Sequence, residues 1–78
     1  MDPDTIRQLI QQGFADDRVE VTGDGSHFEA LVVSPAFAGK SLLERHRMVY
    51  GTLGDRMRSE IHALSMRTLT PEEWALQG

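Results

Sequence analysis

RVEVTGDGSHFEALVV, residues 18–33, is the stretch of sequence that decides the fold. Arg18 to Thr22 alternates polar and apolar side chains, which is typical of a half-buried strand. Gly23 to Ser26 has the composition of a turn, because glycine adopts the positive-φ conformations that turns require. His27 to Val33 is rich in β-compatible side chains and predicts a second strand. Two strands joined by so short a turn predict an antiparallel hairpin.

A helix is predicted before the hairpin. Asp2 is a suitable N-cap, and Pro3 occupies the first helical position, where its missing N–H costs nothing. Gly13 is a natural stop for this helix. The apolar side chains at helical spacing are those of Ile6, Leu9, Ile10 and Phe14.

The best-marked helix follows the hairpin. Ser34-Pro35 ends the second strand, and Ala36 to Lys40 is predicted to be a loop or a short helical turn. Ser41 and Glu44 have the spacing of a capping box, in which each side chain accepts a hydrogen bond from a backbone donor of the first turn. The face that we expect to be apolar, apart from its histidine, contains Leu42, His46, Val49, Leu53 and Met57.

The carboxy-terminal third predicts a strand between two helical segments. Glycines favour a break or a second short helix near Gly54 to Ser59. Ile61 to Leu69 is predicted to be the third strand. Thr70 to Glu73 has the pattern of a second capping box, with proline at the first helical position, and opens a short helix that carries Trp74.

The element order is therefore αββααβα, an α+β fold in one domain spanning residues 1–78. A helical crossover between the second and third strands normally returns the chain in a parallel direction. We therefore expect a three-stranded mixed sheet packed by helices.

Size and composition narrow the class of protein. A 78-residue chain has no room for a deep active site, and no nucleophile is paired with a base, so we expect no enzyme and no small-molecule substrate. It has no cysteine, which excludes disulfides and thiol catalysis. No signal peptide or membrane span is evident, so we expect a cytoplasmic protein with no membrane partner. Its net charge of -4 argues against a dedicated nucleic-acid binder.

A family resemblance is carried by the segments Gly23 to Phe28, Val32 to Ser34, Phe37 to Lys40, Arg45 to Tyr50, Ile61 to Leu64 and Thr70 to Trp74. Through these segments the chain resembles the BolA family over most of its length. The resemblance implies a fold similar to a class II KH domain. It also implies partnership with monothiol glutaredoxins, which carry glutathione-ligated 2Fe–2S clusters, and some family members are DNA-binding regulators.

The three histidines are the candidate soft metal ligands. Spacing alone favours a solvated loop histidine for His27. For His62 the structural alternative is a packed strand histidine that hydrogen-bonds the backbone. The family resemblance instead implies that both are ligands of a 2Fe–2S cluster shared with a glutaredoxin and glutathione, with no cofactor in the isolated chain. His46 lies on the expected apolar face, where a histidine is more often structural.

A second candidate site is basic. Its residues either belong to a solvated helix face or form a surface for an acidic partner or phosphates. Gly51 to Gly54 has the Gly-x-x-Gly spacing of a KH domain, although it falls late in its helix. The alternative function is therefore a KH-like nucleic-acid-binding transcriptional regulator, with weak DNA affinity expected. The basic residues are Lys40, Arg45, Arg47 and Arg67.

Overall fold

A computed structural model describes residues 1–59, 61 and 63–77. The predicted order of elements is confirmed in the described residues, and it gives an α+β fold. In chain order the elements are α1 (Pro3–Gly13), β1 (Arg18–Gly23), β2 (His27–Val33), a 3-10 turn (Pro35–Phe37), α2 (Leu42–Leu53), α3 (Arg56–Ser59), β3 (Ala63–Leu69) and α4 (Pro71–Gln77).

The described strands form a mixed sheet in the order β1-β2-β3. β1 and β2 are antiparallel, with Val21 opposite Ala30. β2 and β3 are parallel, with His27 opposite Ala63. Both the hairpin and the parallel crossover are therefore confirmed, and the starting ends of β2 and β3 lie side by side.

The core lies between one face of the sheet and helices α1 and α2. The stripe predicted on α1 is confirmed, because Ile6 and Ile10 are fully buried and Phe14 nearly so. Phe28 brings the sheet's largest side chain to the same cluster. Within the described part of the chain, no helix is long and apolar enough to cross a membrane. The other buried apolar residues of this core are Val19, Ala30, Val32, Phe37, Val49, Leu53 and Ile61.

The three predicted helix starts are confirmed by their caps. The Asp2 carboxylate accepts a hydrogen bond from the Thr5 N–H at 2.8 Å. Ser41 Oγ accepts from the Glu44 N–H at 3.2 Å, while Glu44 Oε1 accepts from the Ser41 N–H at 2.9 Å. At the start of α4, Thr70 Oγ1 accepts from the Glu73 N–H at 3.2 Å, and Glu73 Oε1 accepts from the Thr70 N–H at 2.8 Å.

Ser41→Ala and Thr70→Ala are each expected to reduce the free energy of unfolding by about 0.5–2 kcal/mol. Each change removes a hydroxyl that accepts a backbone hydrogen bond at a helix start. Urea denaturation, with an unchanged m-value, measures the loss. If both variants unfold at the midpoint of the unsubstituted chain, these caps do not stabilise the fold.

The start of β3 differs from the sequence prediction, whereas the short helical turn predicted after β2 is confirmed. β3 begins at Ala63, not Ile61. The Ile61 N–H donates to the Arg56 carbonyl at 3.0 Å, so it is not available to the sheet, and its side chain is buried in the core. The segment after β2 is a 3-10 turn whose Phe37 is fully buried. Ser34 caps that turn by accepting the Ala36 N–H at 3.1 Å.

The apolar face predicted for α2 is only partly correct. Val49 and Leu53 are buried, but Leu42 is 65% exposed. The first turn of α2 is joined to the rest of the protein through Arg45, which donates to the Thr68 carbonyl at 3.0 Å. Polar contacts therefore replace apolar packing at this end of the helix.

Candidate metal centre

The turn before β2 is held by one carboxylate. Asp24 Oδ1 accepts hydrogen bonds from the N–H groups of Ser26 and His27, each at 2.9 Å. The Asp24 N–H donates to the His27 carbonyl at 3.2 Å. The hydrogen bond from His27 lowers the pKa of the Asp24 carboxyl from its usual range. The backbone that carries His27 is therefore fixed on both sides.

Two glycines make this turn sterically feasible. Gly25 has a φ of 98°, a conformation that side chains with a Cβ rarely adopt. A Cβ on Gly23 would stand 2.6 Å from the His27 carbonyl oxygen and 2.5 Å from Phe28 Cδ1. Sequence reasoning recognised the turn from its composition, but not this close approach.

His27 lies at the first position of β2 with its side chain exposed. Among the described contacts its imidazole makes no hydrogen bond. The parallel register sets it opposite Ala63. His62, the other predicted ligand, lies outside the described residues and is the residue that precedes Ala63 in the sequence.

The side chains available as donors limit the metal sites that this chain could form. The described residues include no group of three or more His, Cys, Asp or Glu side chains arranged to hold a metal ion. The sequence contains no cysteine. Two imidazoles suit one iron of a 2Fe–2S centre whose other ligands are thiolates, as in Rieske centres. Thiolates for such a cluster would have to come from a partner.

His46, predicted to be structural, is half-buried on α2. Its Nε2 is buried and has no hydrogen-bond partner among the described residues. A buried polar atom without a partner destabilises a fold. The partial burial fits a structural histidine, although no hydrogen bond from the described residues satisfies Nε2.

Arg45, one of the four predicted basic contacts, connects α2 to α4. Its Nη1 donates to Glu73 Oε1 at 2.7 Å, and its guanidinium lies 5.8 Å from the centre of the Phe37 ring. The Arg45 hydrogen bond, helped by the Thr70 N–H, lowers the pKa of Glu73 to about 2. The Arg45 side chain is only 13% exposed, so it is a structural residue rather than a free cation.

The other three predicted basic contacts lie in different settings. Arg67 donates to Gln77 and lines the outer face of the sheet, opposite the core. Lys40 and Arg47 are exposed near the first half of α2. Two of the four predicted cations are therefore bound to neighbouring side chains.

The outer face of the sheet has a shallow recess of about 340 Å³, which sequence reasoning did not find. The recess is lined by charges of both signs, because the acidic side chains of Glu20 and Glu29 line it together with the basic side chain of Arg67. Glu20 also forms an ion pair with Arg18. Strand alternation alone would have put these side chains on one face. The other residues of the wall are Thr22, Ala30, Leu31, Ser65 and Met66.

The fold and the site together define a small α+β domain that presents an exposed histidine at the start of a parallel strand pair. The chain belongs to the BolA family: the family model described as BolA-like protein matches residues 10–73. A bolA protein homologue from Coxiella burnetii has the same fold. Its structure superposes with a TM-score of 0.85 at 47% identity, covering 96% of this chain and 97% of that one.

Two of the curated relatives are proteins of Escherichia coli strain K12. The acid stress protein IbaG is 36% identical over 76 residues, which is 96% of this chain and 90% of the relative. The DNA-binding transcriptional regulator BolA is 44% identical over 52 residues, which is 67% of this chain. That second match spans 50% of the regulator's length.

Proposed function

We propose that this chain is a non-enzymatic interaction module that binds a monothiol glutaredoxin. In the complex, His27 and His62 contribute ligands to a bridging 2Fe–2S cluster. The role of the complex is iron–sulfur trafficking or iron and redox regulation. The observation that carries the proposal is the exposed His27 at the start of β2, opposite the chain neighbour of His62.

The strand register supports a shared site for the two histidines. Neighbouring strands lie about 4.8 Å apart, so residues at the starts of a parallel pair are close. In an antiparallel pair, by contrast, the starts of two seven-residue strands would lie at opposite ends, roughly 20 Å apart. Parallel pairing is therefore a requirement of the proposal, and β2 and β3 meet it.

The ligand chemistry determines which donor atoms the partner must supply. A glutaredoxin offers a cysteine thiolate and a bound glutathione thiolate, and the imidazoles of this chain complete the coordination. Histidine ligation on one iron raises the reduction potential of a 2Fe–2S cluster relative to all-cysteine ligation. His27 is well suited to this role because no described hydrogen bond or burial has to be given up before it binds.

The test mixes this protein with a cluster-loaded monothiol glutaredoxin in glutathione. We expect a new visible circular dichroism spectrum and a complex containing both proteins on gel filtration. The matched control is the glutaredoxin alone at the same cluster concentration. An unchanged spectrum together with separate elution of the two proteins would rule out the proposal.

A second candidate function is DNA-binding regulation, which is favoured by similarity to the DNA-binding transcriptional regulator BolA of Escherichia coli. The charges favour it less, because the net charge is -4 and Arg45 is bound to Glu73. Phosphate contacts need free cations, and their contribution weakens as salt rises.

We expect any DNA binding by the isolated protein to disappear between low and physiological salt. A gel shift on duplex DNA at about 50 and about 200 mM salt measures this. Arg47→Ala is the informative variant because Arg47 is exposed. A tight, sequence-selective complex that survives the higher salt would make regulation the leading function.

A further inference from the structure

We infer that Asp24 is a positioning residue for His27, and this inference rests on the proposed function of His27 as a cluster ligand. Asp24 itself touches no metal in this role. It fixes the backbone from which the imidazole projects. The carboxylate acts through hydrogen bonds, and its charge is of secondary importance.

The hydrogen bonds define this role. Asp24 Oδ1 accepts from two consecutive backbone N–H groups, those of Ser26 and His27. The Asp24 N–H returns a bond to the His27 carbonyl. His27 is thus held through both its N–H and its C=O, and the contacts come from one residue three positions earlier. An exposed loop without such contacts would lose backbone conformational entropy when the cluster binds, and this loss would weaken binding.

The glycine before Asp24 strengthens the same constraint. Gly23 lies so close to the His27 carbonyl oxygen that a Cβ there would stand at 2.6 Å. The atom that such a Cβ would meet is a backbone carbonyl oxygen, which cannot rotate away as the end of a flexible side chain can. The turn therefore has little freedom to shift along β2, and Phe28, 1% exposed, anchors its other side in the core.

The experiment compares Asp24→Ala with Asp24→Asn. Asparagine keeps an acceptor oxygen at the same position but removes the charge, so it separates hydrogen bonding from electrostatics. Asp16→Ala is the control for loss of an exposed acid outside the turn. In the protein without a partner, we expect the amide exchange rates of Ser26 and His27 to rise roughly tenfold in Asp24→Ala. Asp24→Asn and Asp16→Ala are expected to stay within about twofold of the unsubstituted protein.

The second measurement is made on the complex with a cluster-loaded glutaredoxin. Asp24→Ala is expected to shorten the cluster lifetime by no more than His27→Ala does and to change the visible circular dichroism, as loss of a residue that orients a ligand does. If Asp24 acts through His27, adding Asp24→Ala to His27→Ala produces no further loss. Asp24→Asn is expected to preserve the lifetime.

Three results would overturn the inference. One is unchanged amide exchange in Asp24→Ala, and another is an asparagine variant that behaves like alanine. The third is an undiminished effect of Asp24→Ala in the His27→Ala background. If His27→Ala itself leaves the cluster lifetime unchanged, the proposed function is wrong at His27, and the inference that depends on it fails as well. The exchange rates then show separately whether Asp24 orders the turn.

Discussion

His62→Ala is expected to shorten the lifetime of a cluster shared with a monothiol glutaredoxin by about tenfold or more. The change removes an imidazole ligand from a chain that has no cysteine to take its place. His27→Ala is expected to have a smaller effect, because His27 is exposed and water can replace a lost ligand there. Decay of the visible absorbance and circular dichroism at fixed glutathione concentration measures both.

His46→Ala is the matched control for this experiment. It also removes an imidazole, but from α2, where Nε2 is buried and has no partner among the described residues. We expect it to change the free energy of unfolding and to leave the cluster spectrum unchanged. If His62→Ala leaves both spectrum and lifetime as they were, the ligand assignment is wrong. An effect of His46→Ala equal to that of His62→Ala would indicate a general folding defect instead.

Local signals in the sequence were sufficient for most of the fold. Ser41 with Glu44 and Thr70 with Glu73 interact only within one helical turn, so their three-residue spacing was enough to predict both helix starts. The hairpin was also local, because its turn joins adjacent strands. The parallel pairing of β2 and β3 followed from a general rule about crossover connections.

Contacts between distant segments could not be predicted in this way. Arg45 and Glu73 are 28 residues apart, and neither has a sequence signature for the other. Arg45 was therefore interpreted as a surface cation, although its side chain is mostly buried. The exposed position of Leu42 has the same origin, because helical spacing cannot indicate where the neighbouring elements end.

The candidate site was predicted only in part. The turn composition and the strand start located His27, and the register set it opposite Ala63. The role of Asp24 depends on the orientation of one carboxylate toward two backbone N–H groups, which composition does not specify. The assignment of His62 as a ligand came from the family resemblance, since its position at a strand start also allows a packed strand histidine.

Phe37→Ala is expected to lower the free energy of unfolding by about 3–5 kcal/mol. The Phe37 side chain is fully buried, its ring centre lies 5.4 Å from that of Phe14, and the Arg45 guanidinium lies against it. It therefore joins the 3-10 turn to α1 and α2, so its removal leaves a cavity that no single element can fill. A chain of this length is typically stable by only about 4–12 kcal/mol, so the loss is a large fraction of the total.

Thermal and urea unfolding followed by circular dichroism measure this loss. Phe37→Leu keeps most of the apolar volume and is expected to lose less than half as much, which provides a folded variant if Phe37→Ala does not fold. Leu76→Ala is the matched control, because that side chain is 88% exposed and its truncation is expected to change stability by less than about 0.5 kcal/mol. Equal effects of Phe37→Ala and Leu76→Ala would mean that the 3-10 turn is not packed into the core. A much larger effect of Phe37→Ala would mean that the segment between β2 and α2 contributes to the stability of the core.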